Sequence, residues 1–449
     1  MPKKQLIVAN DVRAAAKSGS RVIALSATAL VTAEARSVAK DLGIALGPAE
    51  PSLDGSEQTE VRLAVQAQLG GVQADDAAIA EIARRVAIER ARRRQSHTGT
   101  RNEQMDLMQA CEASAARHPA RVVFPDALDR RAIEAAAELS RRGWARPVLL
   151  ADPQALRTHC REHGLEVPRV DVVDPAKAVG GYAAELRRKR PELSDEQGRT
   201  QLTDPLWYGA MMLVRGDADY CVAGNLSATA SVLRAGLRVI GLADGIGTVS
   251  SMFFMIPGDR STALAFGDCG VVPEPTTEQL ADIAISTAAN YRAVTGEVPR
   301  VAMLSFSTLG SAKHASADSV REAVALVKAR EPHLLIDGEL QFDAAFIPHV
   351  AAQKAPGSDV AGSANVFIFP SLAAGNIAYK VAERLAGYTA LGPMIQGLRL
   401  PMHDLSRGCS AADIVKVALL AMKMGSPQSP SSRTQATGEA GSSAKALSV

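Results

Sequence analysis

Arg121-Val-Val-Phe124, then Arg131-Ala-Ile-Glu-Ala-Ala-Ala-Glu-Leu-Ser-Arg-Arg-Gly143, then Pro147-Val-Leu-Leu-Ala151: this stretch sets two short apolar runs around one helix-periodic segment. The outer runs predict buried strands. The middle segment keeps its apolar residues at helical spacing and stops at a glycine. The same alternation continues. Val170–Val173 and Tyr220-Cys-Val-Ala-Gly224 read as strands, and the segments around Tyr182–Lys189 and Tyr208–Arg215 as helices. Further on, Ser251–Ile256 and Thr262–Phe266 predict strands, and Thr277–Val294 and Ser319–Arg330 predict helices. Val301–Phe306, Leu334–Ile336 and Asn365–Phe369 are short apolar runs among them. Strands alternating with helices of about a dozen residues predict an α/β fold with mostly parallel sheets covered on both faces.

The flanks differ. Residues 1–95 read as a separate module. It has a short strand at Arg21–Leu25 and a helix from Thr32 to Leu42, with Thr32 as N-cap and Gly43 just past the end. Glu60–Leu69 and Ala77–Arg93 also show helical spacing, and the polar stretch 94–101 reads as a linker. Residues 426–449 are rich in Ser, Gly, Ala and Thr, and predict a disordered tail. The 449 residues suffice for two or three domains. A formal net charge of +2 gives no global case for nucleic acid or an anionic membrane, and 4% aromatics argues against a base-stacking surface. The five cysteines are spread out with no C-x-x-C pair, so neither a zinc site nor a disulfide framework is expected, and a reducing cytosol is the default. No signal-peptide core is visible, and no uncharged apolar run reaches the ~18 residues of a membrane helix.

Near the C-terminus, Pro401-Met-His-Asp-Leu-Ser406-Arg407-Gly-Cys-Ser410-Ala-Ala-Asp413 precedes a helical segment, Ile414–Lys423. Ser410 to Asp413 has the spacing of a capping box, with Asp in place of Glu. A helix N-terminus also favours anions, and Arg407 adds a planar fork suited to phosphate. The two roles are compatible. A second loop, Ser305-Phe-Ser307-Thr308-Leu-Gly310-Ser311-Ala-Lys313, follows an apolar run. Its hydroxyls and glycine suit phosphate or pyrophosphate, or an ordinary polar turn. It lacks both the P-loop and the G-x-G-x-x-G spacing. Phe369–Lys380 is another strand–turn–helix unit, with Gly375 and Asn376 at the turn. Taken singly, Arg187, Arg234 and Arg384 read as surface residues, and His314, His333, His349 and His403 show no metal-ligand spacing.

Several ordered motifs together give the region Arg121–Gly425 a resemblance to the phosphate acetyltransferase family, which includes phosphate butyryltransferases. They are Tyr182–Arg187, Ala223-Gly-Asn-Leu-Ser227 through Leu233-Arg234, and Leu304–Lys313. Then come Ile336-Asp-Gly-Glu-Leu-Gln341, Lys354–Ser358, Phe369–Lys380, Glu383–Ala386, Gly392-Pro393 with Gln396-Gly397, and Asp404–Ser410. The sequence departs from the family pattern at Ala235 and Ser371, where Pro and Asp are usual.

The resemblance implies two α/β domains with a cleft between them, like isocitrate or isopropylmalate dehydrogenase, usually in a homodimer. It places domain I at 103–245 and 396–425, and domain II at 246–395. It implies Ser406, Arg407 and Asp413 as catalytic residues, and Arg187, Arg234 and Arg384 as substrate-binding. Ser307, Thr308, Gly310, Ser311 and Asn376 join the candidate substrate-binding set. Coenzyme A is then a substrate, with no cofactor and no metal. The carboxylates Asp337, Glu339 and Asp343 could suggest a hard-metal site in this type of fold, but satisfied strand-end groups are the expectation.

The chemistry implied is acetyl-CoA + phosphate ⇌ acetyl phosphate + CoA. A thiolate is the nucleophile, and Asp413 is positioned to take its proton. An ordinary Asp is a weak base for a thiol, so burial would need to raise it. Cys409 is an alternative acyl carrier that direct attack makes unnecessary. Propionyl or butyryl specificity is one alternative, since a methylene discriminates by only ~1–3 kcal/mol. A non-catalytic acyl-CoA-sensing module, such as those fused to malic enzymes, is another. A metal- and nicotinamide-dependent dehydrogenase fails on motifs. Within residues 1–95, Ala9–Ala16, Arg21–Leu25, Leu30–Arg36 and Leu42–Ile44 are similar to segments of ethanolamine-utilisation and microcompartment-associated proteins. That likeness implies recruitment to a shell or a neighbouring enzyme, with a folded extension supporting the dimer as the alternative.

Overall fold

The computed structural model describes residues 6–17, 22–25, 30–48, 106–258 and 262–425. The helical segments expected at 60–93, the linker at 94–101 and the tail at 426–449 lie outside these. The chain divides into two units, 1–104 and 105–449.

In the first unit, β1 (Leu6–Ile7) pairs in parallel with β3 (Leu30–Val31), and β2 (Val22–Leu25) with β4 (Ala45–Pro48). Thr32 caps the Ala33–Asp41 helix by accepting the amide of Ala35 at 3.2 Å, and Gly43 follows with φ +63°. Val12, Ala35, Ala39 and Ile44 form a small buried cluster.

The second unit contains two sheets. The first is all parallel, in the order β15–β8–β5–β6–β7. Its strands are β5 (Ala120–Phe124), β6 (Ala145–Leu150), β7 (Asp171–Val173), β8 (Tyr220–Ala223) and β15 (Met402–Asp404). The helix predicted from residue 131 runs Arg130–Arg141 and buries Ile133, Ala135, Ala136 and Leu139 on one face, as its spacing requires. The second sheet has the order β12–β11–β13–β10–β9–β14. Here β10 (Leu264–Gly267), β11 (Arg300–Leu304), β12 (Leu335–Leu340) and β13 (Val366–Ile368) are parallel, while β9 (Ser250–Ile256) and β14 (Thr389–Gln396) run antiparallel to their neighbours. The eight-residue strand β14 and the three-residue strand β15 have no counterpart among the predicted elements.

One core joins the two sheets. Val122, Phe124 and Leu149 from the first belong to the same buried cluster as Phe254, Met303 and Val366 from the second. The Ala411–Met424 helix sits in this core with Ile414, Val415, Val417, Ala418, Leu419, Leu420, Ala421 and Met422 all buried. A helix apolar on most faces must be enclosed, and each Leu so enclosed stabilises by about 1.5–3 kcal/mol. That burial fixes where the helix begins, and so fixes the loop that leads into it.

Candidate active site

In the first sheet β5 lies centrally. The chain leaves it for β6 on one side and later returns to β8 on the other. The carboxyl ends of β5, β8 and β15 are therefore neighbours at the reversal point, where open α/β sheets leave a crevice. Three loops meet there: 125–129 after β5, 224–228 after β8 and 405–410 after β15.

Asp126 binds the first loop to the second. Its Oδ2 accepts the amides of Gly224 at 2.8 Å and of Leu226 and Ser227 at 3.0 Å, and its Oδ1 accepts the Ser227 hydroxyl. Asp404, at the end of β15, accepts the Thr229 hydroxyl at 2.6 Å, and the Leu405 amide donates to the Ala223 carbonyl at 2.8 Å. Between these carboxylates Gly224 has φ +98°, and a Cβ on it would lie 2.2 Å from Asp404 Oδ1. Burial, reinforced by the charge of Asp126, pushes the Asp404 carboxyl up to about 6. Burial pushes the neighbouring His403 down to about 4.

Arg131 binds all three loops. Nη1 donates to the carbonyls of Arg407 at 2.7 Å and Cys409 at 2.9 Å. Nη2 donates to the carbonyl of Asn225 at 2.8 Å and to Asp129 at 2.6 Å, and Nε also reaches Asp129. Asp129 is the N-cap of the Arg130–Arg141 helix, so one carboxylate serves both the helix start and the guanidinium. Burial raises the Asp129 carboxyl, but the bonds from Arg131 outweigh it and hold the group below its ordinary value.

Ser406 and Arg407 stand exposed at the top of this assembly. The Ser406 hydroxyl accepts the Gly408 amide at 3.3 Å, and the Arg407 guanidinium has no carboxylate partner among the described residues. Ser410 and Asp413 form the expected capping box. The Ser410 hydroxyl accepts the Asp413 amide at 3.2 Å, and Asp413 accepts the Ser410 amide at 3.0 Å. Burial raises Asp413, but the bonds from Ser410 and Lys416 prevail, so its carboxyl lies below the ordinary value. The raised basicity that a thiol's base needs is therefore not present in this capped state. Burial pushes the Cys409 thiol up, against the opposing charge of Arg131.

The remaining candidates stand apart from this loop in their bonding. Arg187, at the end of the Gly180–Lys189 helix, pairs with Asp195. Arg234 is exposed on the Thr229–Ala235 helix. Arg384 projects from the Leu372–Ala386 helix, with its Nε 3.4 Å from Glu383. Among the described residues, no hydrogen bond or ion pair joins these three arginines to residues 404–413.

The 305–313 loop follows β11 and closes on a carboxylate of its own. Ser307 is fully buried and donates to Glu339 Oε1 at 2.7 Å, and the Gly310 amide reaches the same oxygen at 2.9 Å. Thr308 is also buried; its hydroxyl accepts the Gln341 amide, and Ser311 accepts the Thr308 amide. The Ser307 hydroxyl and the Gly310 amide are thus engaged by Glu339, which also pairs with Arg321 at 3.0 Å. Asn376 donates to the Cys269 carbonyl at 3.1 Å. Asp337 accepts from Ser358 and Asp343 from Lys354, so each carboxylate raised as a metal ligand has a protein partner.

Sequence reasoning missed Asp126, Asp129, Arg131, Gly224 and Asp404. Gly224 and Asp404 stood inside the motifs Ala223–Ser227 and Asp404–Ser410 without an assigned role, and an Asp-x-x-Asp pair between a strand and a helix start was the signal at 126 and 129.

The family model described as phosphate acetyl/butaryl transferase matches residues 106–422. The phosphate acetyltransferase of Bacillus subtilis (strain 168) is 39% identical over 318 residues, covering 70% of this chain and 98% of the relative. That of Nitrosomonas europaea is 45% identical over 310 residues, 68% of this chain, and the match spans only 44% of that longer protein. Among solved structures, the EutD phosphotransacetylase from Staphylococcus aureus superimposes with a TM-score of 0.67 at 38% identity, covering 71% of this chain and 98% of that one.

Proposed function

The chain belongs to the phosphate acetyl/butaryl transferase family and is an acyltransferase, and from that premise we propose that it interconverts acetyl-CoA and phosphate with CoA and acetyl phosphate. The observation that carries the site is Arg407: a guanidinium without a carboxylate partner among the described residues, exposed beside Ser406 at the start of a capped helix. Acetyl phosphate brings about two negative charges. A helix N-terminus and a free planar fork meet that demand together.

Both substrates bind in one ternary complex. The CoA thiolate attacks the acetyl carbonyl carbon, a C–S bond forms, the bond from that carbon to the bridging oxygen breaks, and phosphate leaves with the bridging oxygen and the bonding pair. Arg407 holds the phosphoryl oxygens and stabilises the developing oxyanion, and Ser406 hydrogen-bonds the thiol or that oxyanion. Asp413 accepts the thiol proton. For that role the Ser410 cap and the Lys416 pair must open on CoA binding, since both lower the carboxylate's basicity. The raised Cys409 thiol supports direct transfer without an acyl-enzyme. No metal is required, because the arginine supplies the charge. Arg187, Arg234 and Arg384 bind the charged parts of the substrates, Arg187 by exchanging Asp195 for an anion. Ser311, Gly310 and Asn376 line the substrate cleft, with Ser307 and Thr308 shaping the loop from within.

The enzyme works as a homodimer. Ile377, Val381 and Leu385, four residues apart on the Leu372–Ala386 helix, form an exposed apolar stripe that a second copy would cover. It acts in the cytoplasm, a setting that fits its five unpaired cysteines. Residues 1–95 recruit it to a microcompartment shell or a neighbouring enzyme; a tagged 1–95 fusion that stays diffuse beside assembled compartments contradicts this.

CoA-dependent consumption of acetyl phosphate, followed as thioester formation in the presence of a chelator, tests the activity. Turnover is expected in the wild type and is expected to collapse in Arg407→Ala and Asp413→Asn. Faster turnover of propionyl or butyryl phosphate would reassign the acyl group. Acyl-CoA binding without turnover would move the chain to a sensing role.

A further inference from the structure

Arg131 has no place in the reaction as written, yet it is the most densely bonded side chain near Ser406 and Arg407. An arginine has five N–H donors in a fixed fork. Here the fork spans the Asp129 carboxylate and three backbone carbonyls, those of Asn225, Arg407 and Cys409. No donor remains for a ligand. The side chain is only 27% exposed, and its carboxylate partner 6%.

The three carbonyls come from places far apart in the chain. Asn225 lies 94 residues from Arg131, Arg407 lies 276 and Cys409 lies 278. Two of them belong to one turn, closed by the Cys409 amide on the Ser406 carbonyl at 2.9 Å. Fixing the carbonyls of residues 407 and 409 fixes the peptide planes after each. With the 406 carbonyl also held, the peptide planes on both sides of the Arg407 Cα are set, and the direction of its side chain follows.

We propose that Arg131, clamped by Asp129, is a positioning residue that sets the Ser406–Arg407 turn for acyl transfer without touching substrate. The assignment rests on the reading of Ser406 and Arg407 as the reacting centre. A lysine cannot replace it, because a single ammonium lacks the planar fork that reaches two loops and a carboxylate at once. Removal leaves the turn's carbonyls without their donor and the largely buried Asp129 without its cation.

The test compares wild type, Arg131→Ala, Arg131→Lys, Arg407→Ala and the Arg131→Ala/Arg407→Ala double variant in the full chain. A displacement of about 1 Å at a reacting centre costs about 10²-fold in rate. Both Arg131 variants are therefore expected to lose about 10²-fold in kcat, with KM for CoA little changed. Guanidinium ion at non-denaturing concentration is expected to restore part of the activity of Arg131→Ala and none of that of Arg131→Lys. The double variant is expected to be no slower than Arg407→Ala, since both changes act on one group. Additive losses, or full activity in Arg131→Ala, would overturn the proposal.

Should Arg131→Ala fail to fold, Asp129→Asn tests the same clamp: a kcat loss with KM unchanged supports it, and wild-type kinetics overturn it. Hydrogen exchange at the Cys409 amide reads the turn independently of turnover. Protection lost in the Arg131 variants supports the proposal; protection equal to wild type overturns it. Wild-type turnover and its loss in Arg407→Ala judge the underlying reading separately.

Discussion

Replacing Gly224 by alanine is the sharpest perturbation this structure offers. The residue has φ +98°, and an added methyl would lie 2.2 Å from Asp404 Oδ1, 2.5 Å from the Leu405 nitrogen and 2.8 Å from its carbonyl oxygen. An ordinary carbon contact is about 3.5 Å, so something must move by about 1 Å. Nothing soft is available. Two of the three atoms are backbone, and Asp404 is buried and bonded to Thr229. The movement falls on Leu405, which immediately precedes Ser406. The positive φ costs an alanine about 1–2 kcal/mol and the overpacking about 1–3 kcal/mol. A shift of this size at the reacting groups predicts about a 10²-fold loss in kcat.

Gly143 supplies the control: its φ is +68°, and a methyl there meets nothing within 4 Å. Gly143→Ala shares the backbone strain but not the collision. Thioester formation at saturating substrates, with a thermal melt for each variant, separates the two effects. If Gly224→Ala turns over within about twofold of Gly143→Ala, the strand-end geometry does not govern catalysis and the reasoning fails.

Other outcomes follow from the same region. Asp404 is held up at about 6 when folded, against about 3.9 unfolded, so its stabilising contribution is complete below pH 4 and is lost as pH rises through 6. The shift corresponds to about 3 kcal/mol, and Asp404→Asn should remove that falling component from urea-unfolding free energies taken from pH 4 to 7. His403 acts in the opposite sense: held down at about 4, it stabilises above pH 6.5 and that contribution fades as pH falls toward 4. The wild-type profile is then flatter between pH 4 and 6 than that of either single variant, His403→Asn or Asp404→Asn; parallel profiles would contradict both assignments. Ser410→Ala removes the cap and should cost about 1 kcal/mol in chemical denaturation. Cys409→Ala should retain most turnover in the thioester assay; an inactive, folded variant would restore the acyl-enzyme.

Elements whose cause is local were legible in the sequence. The Arg130–Arg141 helix, the capping box at Ser410–Asp413 and the Thr32 cap each depend on residues within one or two turns of each other. The parallel first sheet follows from the strand–helix alternation. Short strands such as β15, three residues long, carry too little pattern to be seen alone. The site was half legible. Ser406 and Arg407 stand where a strand end meets a helix start, as their spacing implies. Arg131 reads locally as one more helix-surface arginine, because its partners lie in loops far along the chain. Ser307 and Thr308 mislead for the complementary reason. A hydroxyl-rich turn looks open to phosphate until the buried Glu339, 32 residues on from Ser307, occupies it.

The position of β15 bears on how the protein is made. It pairs only with β8 in its sheet, and Asp404 meets Thr229 across 175 residues of chain. At about 5–20 residues per second, the ribosome needs roughly 10–35 seconds to travel that distance. During this interval the nascent chain carries β8 with one edge unpaired, the arrangement most prone to wrong pairing between chains. Asp126 and Arg131 are made by then together with their partners Gly224 and Asn225, but the carbonyls of Arg407 and Cys409 that complete the clamp are not. If Ser406 and Arg407 are the reacting centre, competence is expected only after β15, the last strand among the described residues, has docked, and a product that ends before Ser406 is expected to be inert toward acyl phosphate and CoA.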